Sequence, residues 1–342
     1  MFKLEKGKNK NLPQIANEFY SKLNPVKKTG LLMKDSLKKR LQKKIRREKD
    51  PKKLVFYKKL AEKKYKILEE IITGSPIHLA DIQEQMDAMV KKNLIPAFSQ
   101  NIKGVISSTQ FGLEVLNLFD YKSCRGSIKF IWLVNELDVV VCPYCNESYM
   151  HIVKVSDDEK ILHEFDHFIP KVIAPYLSLS FYNLIPSCHI CNSNLKNTTV
   201  FRLNDYSHPY ADNLHSCVRF STDKPIDVNN PNSFDVAVNI ITTNPDDIRK
   251  STNNVRIFSI QQRYNKFKND IIRFEKLRAN YSESKKQEML NNGLLGQVFT
   301  DRADLNINIA MTIGVPIDET EAMRKGKGKF ELDIAKEFKI ID

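Results

Sequence analysis

The chain has 342 residues, with 54 Lys and Arg against 41 Asp and Glu and a formal net charge of +13. This length allows two or three structural units with cores of their own, so disulfides are not needed to hold them. No apolar run reaches the roughly 18 residues that cross a bilayer, and the N-terminus lacks the apolar segment of a signal peptide. We therefore expect a cytoplasmic protein without membrane association, in which the six cysteines are metal ligands or free thiols.

The positive charge is concentrated at the start of the chain. Residues 1–70 carry 23 Lys and Arg against 8 Asp and Glu, whereas the rest of the chain carries 31 against 33. The densest run lies between Lys34 and Lys66 and has the sequence KKRLQKKIRREKDPKK at its centre. Such a run is either the solvated face of a helix or a surface that attracts polyanions, most often nucleic acid. Both interpretations stay open.

Helices are predicted over most of the basic region. Within residues 32–72 an apolar side chain recurs every four positions, which is helical spacing. Pro51 is expected to divide this segment into two helices, with Asp50 as the N-cap of the second. A further helix is predicted over residues 82–92. Residues 104–135 are also expected to be helical, with the only tryptophan of the chain in the core.

The composition changes in the middle of the chain, where residues 136–217 contain five of the six cysteines and six of the seven histidines. Further on, alternation and turn residues over 226–247 predict strands, and residues 256–291 have apolar side chains at helical spacing. The predicted domains are a basic helical region of residues 1–135, a Cys- and His-rich domain of residues 136–217 and a mainly helical α+β region of residues 218–342.

Two CxxC pairs separated by 42 residues form the clearest motif. Each pair brings two thiolates within reach of one ion, and four sulfur ligands in closed tetrahedral geometry suit Zn²⁺. The alternatives are two unrelated pairs of buried cysteines or a redox CxxC, although no thioredoxin-like βαβ pattern supports a redox role. We predict one structural zinc ion held by Cys142, Cys145, Cys188 and Cys191.

The segment between the two pairs contains residues suited to catalysis. The stretches ILHEF and SFYNLIPS predict two strands, and the polar segment that follows Cys191 predicts the start of a helix. Asp166 and His167 end the first strand, Asn183 lies in the second, and Asn192 directly follows the last cysteine. Strict alternation would place Asp166 and His167 on opposite faces unless the strand ends or bends there.

The combination of DHFIP, NLIPSC and an Asn after the last Cys resembles the HNH endonuclease family in its zinc-stapled form, over about residues 140–200. The resemblance implies a mostly helical α+β chain around a small zinc-stabilised ββα-metal nuclease core, with residues 136–217 as the HNH domain. In the family, the residue that matches Asn183 orients the catalytic histidine through its backbone. The longer stretches CPYCN, DHFIPK and YLSLSFYNLIPSCHICNSNLK look closer to one branch of the family. That branch includes nucleases of Septu-type anti-phage systems, which work beside an ABC-type ATPase.

Phosphodiester hydrolysis requires an activated water and neutralisation of charge on the phosphate and the leaving oxygen. His167 is assigned as the general base, because a neutral imidazole can accept a proton near neutral pH. Asp166 and Asn192 offer hard oxygen atoms that suit Mg²⁺ or Mn²⁺. We predict a metal-dependent endonuclease acting on DNA. An RNA target such as tRNA, or a non-catalytic zinc module that binds nucleic acid, remains an alternative.

Four further residues near the motif carry weaker expectations. Lys171 and Lys196 flank it and are expected at the surface, where they could contact phosphates. His163 is expected to be a partly exposed strand residue. His189 lies between two cysteines and is expected to point outward.

Overall fold

The structure is a computed structural model that describes residues 2–156, 158–291 and 298–342. Helices account for about 53% of the chain. In the described ranges, the strands pair only in small antiparallel sheets of two strands. The prediction of a mainly helical chain with a minor β content is therefore confirmed. No helix in the part of the chain that the structure describes is both long and apolar enough to cross a membrane.

Backbone contacts divide the chain into two compact units. The N-terminal unit comprises Leu4–Val139 and His151–Ala211. The C-terminal unit comprises Met1–Lys3, Val140–Met150 and Asp212–Asp342.

The N-terminal unit contains seven helices and three β-hairpins within its described residues. Its helices are α1 (Leu12–Leu23), α2 (Leu37–Arg47), α3 (Pro51–Thr73), α4 (Pro76–Lys92), α5 (Gln110–Phe119), α6 (Tyr121–Arg125) and α7 (Ile128–Leu137). Its strands are β1 (Ser99–Ile102), β2 (Val105–Ser108), β3 (Ile152–Val155), β4 (Asp158–Ile161), β5 (Glu164–His167) and β6 (Leu184–Ser187). Two 3₁₀ turns, Pro175–Leu177 and Phe181–Asn183, precede β6, and a π-helix, Ile190–Lys196, follows it.

Side chains cap the N-termini of the first three helices of this unit. The Asn11 side chain accepts a hydrogen bond from the backbone amide of Gln14 at 2.9 Å and caps α1. Ser36 caps α2 in the same way. Asp50 accepts from the amides of the second and third residues of α3, and Pro51 is the first residue of that helix. The predicted helix break and its cap are therefore confirmed.

The helix α3 is interrupted by a short left-handed segment. Lys63, Lys64 and Tyr65 have φ angles of 48°, 57° and 72°, and such angles cost non-glycine residues roughly 1–2 kcal/mol each. The Tyr65 hydroxyl accepts a hydrogen bond from Gln42 of α2 at 2.8 Å. This bond ties the interruption to the neighbouring helix.

The core of the N-terminal unit is rich in aromatic rings. Phe56 of α3 lies 5.3–6.1 Å from the rings of several other aromatic residues, measured between centroids. These neighbours are Tyr57, Phe98, Phe111 and Tyr176. The only tryptophan, Trp132, lies outside this core, contrary to the prediction. It is half-buried, with the ammonium group of Lys22 placed 4.5 Å from its ring centroid.

The C-terminal unit pairs one β-hairpin with helices. Its elements are β7 (Val218–Thr222), β8 (Val236–Ile240), α8 (Pro245–Ile257), α9 (Ile260–Tyr264), α10 (Lys268–Arg278), α11 (Glu283–Asn291), α12 (Arg302–Ile313), α13 (Glu319–Arg324) and α14 (Gly328–Glu337). Phe220, Tyr264 and Phe330 form its aromatic centre. The predicted strand content of residues 226–247 is confirmed only for β8, because α8 begins at Pro245.

Candidate functional site

The first CxxC pair lies in a tight turn. The amide of Cys142 donates to the Ser148 carbonyl at 2.9 Å, and the amide of Asn146 donates back to the Cys142 carbonyl at 2.8 Å. Asn146 has a φ of 55°, which an asparagine tolerates better than most residues. The Tyr264 hydroxyl donates to the Cys145 carbonyl at 2.8 Å, so α9 fixes the turn from outside.

The second CxxC pair spans the end of β6 and the start of the π-helix. The amide of Cys191 lies 3.4 Å from the Cys188 sulfur, and the amide of Asn192 donates to the Cys188 carbonyl at 3.0 Å. An amide directed at a cysteine sulfur stabilises the thiolate form that metals require.

All four cysteines of the two pairs come together. Their sulfur atoms lie within 4.8 Å of one another, and all four residues are buried. Tetrahedral ligation at a Zn–S distance of about 2.3 Å separates the sulfurs by about 3.8 Å, so this donor set fits zinc after a small contraction. The predicted cluster of Cys142, Cys145, Cys188 and Cys191 is thus confirmed as a group that can hold a structural zinc ion.

The strands β5 and β6 form an antiparallel hairpin in which His167 pairs with Leu184. The stretch ILHEF spans the turn from β4 into β5, so the strand itself begins later than predicted. The predicted order of strand, strand and helix is confirmed, with a π-helix as the third element. Asn183, predicted in the second strand, instead ends the 3₁₀ turn directly before β6. Since β5 ends at His167, that residue lies where the chain leaves the sheet.

His167 is buried against α6. Its Nε2 atom lies 3.0 Å from the Ser178 carbonyl oxygen, and its ring centroid lies 4.6 Å from that of Tyr121. A carbonyl can only accept, so Nε2 carries the proton and Nδ1 keeps the lone pair. Burial, followed by the charge of Lys171, lowers the pKa of His167 to about 3. The imidazole is therefore neutral at physiological pH.

Asp166 is held in a buried ion pair with Lys196. The Lys196 ammonium group lies 2.7 Å from Asp166 Oδ1 and also donates to the His167 carbonyl at 2.7 Å. The Lys196 side chain is only 1% exposed, so the prediction that it lies at the surface is wrong. Lys196 instead joins the end of the π-helix to β5, and it supplies the counter-charge that a buried carboxylate needs.

Glu164 lies two residues before Asp166 and makes the contact with Asn192. Its carboxylate accepts from the Asn192 side-chain amide at 2.8 Å and from the Ser193 hydroxyl at 2.7 Å, and it pairs with His189 at 2.9 Å. Burial raises the pKa of Glu164, but these three hydrogen bonds outweigh it and hold the pKa below its usual range. Glu164 was not predicted as a site residue, although period-two spacing places it on the same strand face as Asp166.

Asn183 clamps the loop between the two strands. Its side-chain oxygen accepts from the Ile169 amide at 2.7 Å, and its NH₂ group donates to the carbonyls of Ile169 and Leu177. Its backbone carbonyl accepts from the Phe168 amide at 3.0 Å. Asn183 thus fixes the chain directly after His167.

A cavity of about 550 Å³ opens beside this hairpin, between α6, β5 and the π-helix. Three cationic side chains line it, together with oxygen donors from the strand and the helix. The cations are Lys122, Arg125 and Lys171, and the donors include Glu164, Asn192 and Ser193. The surface position predicted for Lys171 is confirmed.

The two other histidines near the site differ in their exposure. His189 is exposed, as predicted, although it contacts Glu164. His163 is only 4% exposed and lies just before β5, so the prediction of a partly exposed strand residue is wrong. Its backbone carbonyl accepts from Arg125 at 3.0 Å, which orients that guanidinium at the cavity.

We expect acid to destabilise the N-terminal unit, because it buries two neutral histidines. Burial lowers the pKa of His163 to about 4 and that of His167 to about 3, whereas an unfolded histidine has a pKa of about 6.5. Their stabilising effect is complete above pH 6.5. As the pH falls towards 4, each histidine lowers the free energy of unfolding by on the order of 1 kcal/mol per pH unit.

Urea unfolding at about pH 7 and about pH 5 would measure this loss. The substitution His163→Phe keeps an aromatic ring without a titrating nitrogen, so the variant should lose less stability between the two pH values. Equal losses in the variant and the wild type would show that His163 does not contribute.

The cavity combines cations with hard oxygen donors, which suits a phosphate ester beside a divalent ion. Comparisons of the chain with protein-family models, with curated proteins and with solved structures gave no match. The function must therefore be inferred from the residues of this site.

Proposed function

We propose that the chain is a metal-dependent HNH endonuclease that hydrolyses phosphodiester bonds in DNA. One observation carries the proposal. His167 ends β5 with its Nε2 directed at the Ser178 carbonyl, Asn192 contacts that same strand through Glu164, and both elements border a cavity with three cationic side chains. The resemblance of these residues to the HNH motif supports the same reaction.

In the proposed reaction, the N–H group at Nε2 of His167 donates to the Ser178 carbonyl, which leaves the lone pair on Nδ1. Nδ1 therefore accepts the proton of the attacking water. The water oxygen forms a bond to phosphorus, and the bond from phosphorus to the leaving sugar oxygen breaks. Lys122, Arg125 and Lys171 offset the negative charge of the phosphate from the cavity wall. Asn183 holds the loop that keeps His167 in place.

The oxygen atoms of Asn192 and Glu164 at the cavity wall are of the kind that binds a hard divalent cation, and the buried Asp166 lies behind them on β5. Lys196 is the counter-ion of Asp166. When bound at these oxygens, Mg²⁺ or Mn²⁺ would stabilise charge on the phosphate and the leaving oxygen. We assign Asp166 and Asn192 as its ligands, with Glu164 orienting the Asn192 amide.

The proposed biological setting follows from the resemblance. The motif resembles the branch of the family that includes PtuB, the HNH nuclease of Septu-type anti-phage systems. We therefore propose a role in bacterial anti-phage defence together with an ABC-type ATPase. Copurification of a tagged chain with the product of a neighbouring ATPase gene would test the partner.

Cleavage assays test the reaction and its substrate. Purified protein should cut duplex DNA when Mg²⁺ or Mn²⁺ is present and should stop when a chelator removes the ion. One-metal hydrolysis does not need a 2′-hydroxyl, so the mechanism does not decide between DNA and RNA. Single-stranded DNA and tRNA are therefore assayed in parallel. If only tRNA is cleaved, the substrate would be RNA and not DNA. If the protein binds nucleic acid but cleaves none of these substrates, the non-catalytic binding module would be favoured.

We expect Asn192→Ala to weaken the metal dependence, raising the Mg²⁺ concentration needed for half-maximal cleavage by about 10–100-fold. Asn194→Ala is the matched control, because Asn194 is an exposed asparagine on the same π-helix. Asp166→Ala should have a similar effect, but it leaves Lys196 buried without its partner, so its melting temperature must be measured as well. Equal metal titrations for Asn192→Ala and Asn194→Ala would contradict the assignment.

A further inference from the structure

The basic residues of α2 and α3 fall into two groups. The first group is used within the N-terminal unit. Lys44 and Lys53 both pair with Glu114 of α5, at 3.1 and 2.8 Å. Arg40 donates to two carbonyls at the end of α5, each at 2.9 Å. These three side chains hold helices together and are not available to a ligand.

The second group is exposed and forms no ion pair within the described residues. On α2 it consists of Lys39, Lys43, Arg46 and Arg47, which we call the α2 stripe. Members at positions i, i+4 and i+8 are about 6 Å apart along the helix axis and face the same way. Leu37 and Leu41 are fully buried on the opposite side of α2, so the stripe is directed to solvent.

The α2 stripe is connected to the cavity through α5. The Arg40 side chain of α2 donates hydrogen bonds to the last carbonyls of α5. After α5 the chain continues directly into α6. The first residues after α5, Asp120, Tyr121 and Lys122, line the cavity. The two hydrogen bonds of Arg40 therefore attach α2 to the end of the helix from which the chain enters the cavity wall.

We propose that the α2 stripe is an exosite for the phosphate backbone of the nucleic acid whose cleavage is proposed above, so this inference rests on the proposed function. Evenly spaced cations in a line match the repeating charge of a strand better than the irregular charges of an acidic protein. Arg40 joins α2 to the end of α5, and the cavity that begins there is also lined by cations, Lys122, Arg125 and Lys171, which suit the same kind of ligand. Phosphate contacts position the strand without reading its sequence. Affinity should therefore depend on strand length and not on sequence.

The test uses binding by the His167→Ala protein, which is expected not to cut its ligand. Fluorescently labelled single strands and duplexes are titrated over a range of salt concentrations. One set of oligonucleotides is short enough to occupy only the cavity, and the other is long enough to reach the α2 stripe. The stripe variant carries Lys43→Glu, Arg46→Glu and Arg47→Glu. The control reverses three exposed lysines of the C-terminal unit, Lys224→Glu, Lys276→Glu and Lys285→Glu, and so has the same net charge.

The stripe variant should bind long strands at least about tenfold more weakly, and its log–log salt slope should flatten by about 0.7–0.9 for each phosphate that the protein no longer neutralises. Its affinity for short strands should not change, and the control should behave as the parent protein. Equal weakening in the stripe variant and the control would overturn the exosite, because only net charge would matter. Polyglutamate serves as a competitor and is compared with an oligonucleotide of equal charge. If the two compete equally well, the exosite for nucleic acid would also be overturned, in favour of an acidic protein partner.

Cleavage by the wild-type chain separates this inference from the proposed function. If the wild type cuts nucleic acid and the stripe variant keeps its salt slope, the exosite is rejected and the nuclease proposal stands. If the slope flattens but the wild type cuts no substrate, the exosite stands and the nuclease proposal is rejected.

Discussion

Replacing His167 by alanine should reduce phosphodiester cleavage by about 10²–10⁴-fold, the usual contribution of a general base. The proposal gives His167 the proton of the attacking water, and no other imidazole occupies the same place at the end of β5 in the described residues. Initial rates on one labelled substrate, at saturating metal, would measure the loss. Zinc content should stay close to that of the wild type, whereas the melting temperature should fall somewhat, because alanine leaves a cavity beside Tyr121.

Two variants control this experiment. His78→Ala removes a histidine at the start of α4 that does not line the cavity, and this variant should cut at the wild-type rate. His167→Gln keeps an N–H donor for the Ser178 carbonyl but lacks a basic nitrogen, so it should be as inactive as the alanine variant with less effect on the fold. Wild-type activity of His167→Gln would show that His167 is not the general base.

Loss of one cysteine from the zinc site should release the ion and unfold the turn around it. Apparent binding energies of about 10–16 kcal/mol in small zinc domains show how much folding energy such an ion supplies. We expect elemental analysis to find one zinc per wild-type chain. Cys191→Ser should contain almost none and should melt at a much lower temperature, because the start of the π-helix depends on the bonds around Cys188.

Cys217→Ser is the matched control for the zinc site. Cys217 is a partly exposed thiol outside the buried cluster. This variant should keep its zinc and its melting temperature. Folded wild-type protein without zinc would contradict the assignment, as would equal loss of zinc from both variants.

Short-range chemistry explains what could be predicted from the sequence. The cap at Asp50 and the break at Pro51 depend on a few neighbouring residues, and both are found in the structure. The two CxxC pairs were equally predictable, because the spacing of each pair already suits a shared ion. The order of strand, strand and helix was predictable from local alternation and polarity, although the boundaries of the strands moved by several residues.

Contacts between distant residues explain what could not be predicted. Lys196 was expected at the surface because most lysines are solvated, but its partner Asp166 is 30 positions away in sequence. Glu164 was missed because its three partners lie on another element. Trp132 was expected in the core from its size, yet Lys22 of α1 covers its ring at the edge of the unit. Each of these outcomes depends on packing that a local pattern does not contain.

The ion pair between Lys196 and Asp166 constrains how these two positions can evolve. Their side chains are 1% and 3% exposed, so losing either charge alone breaks a buried ion pair, at a cost of about 3–5 kcal/mol. Replacing both together by apolar residues of similar volume would be far less costly to the fold. The two positions are therefore epistatic: a mutational path that changes them one at a time crosses a fitness valley. A paired change at both positions would avoid this valley.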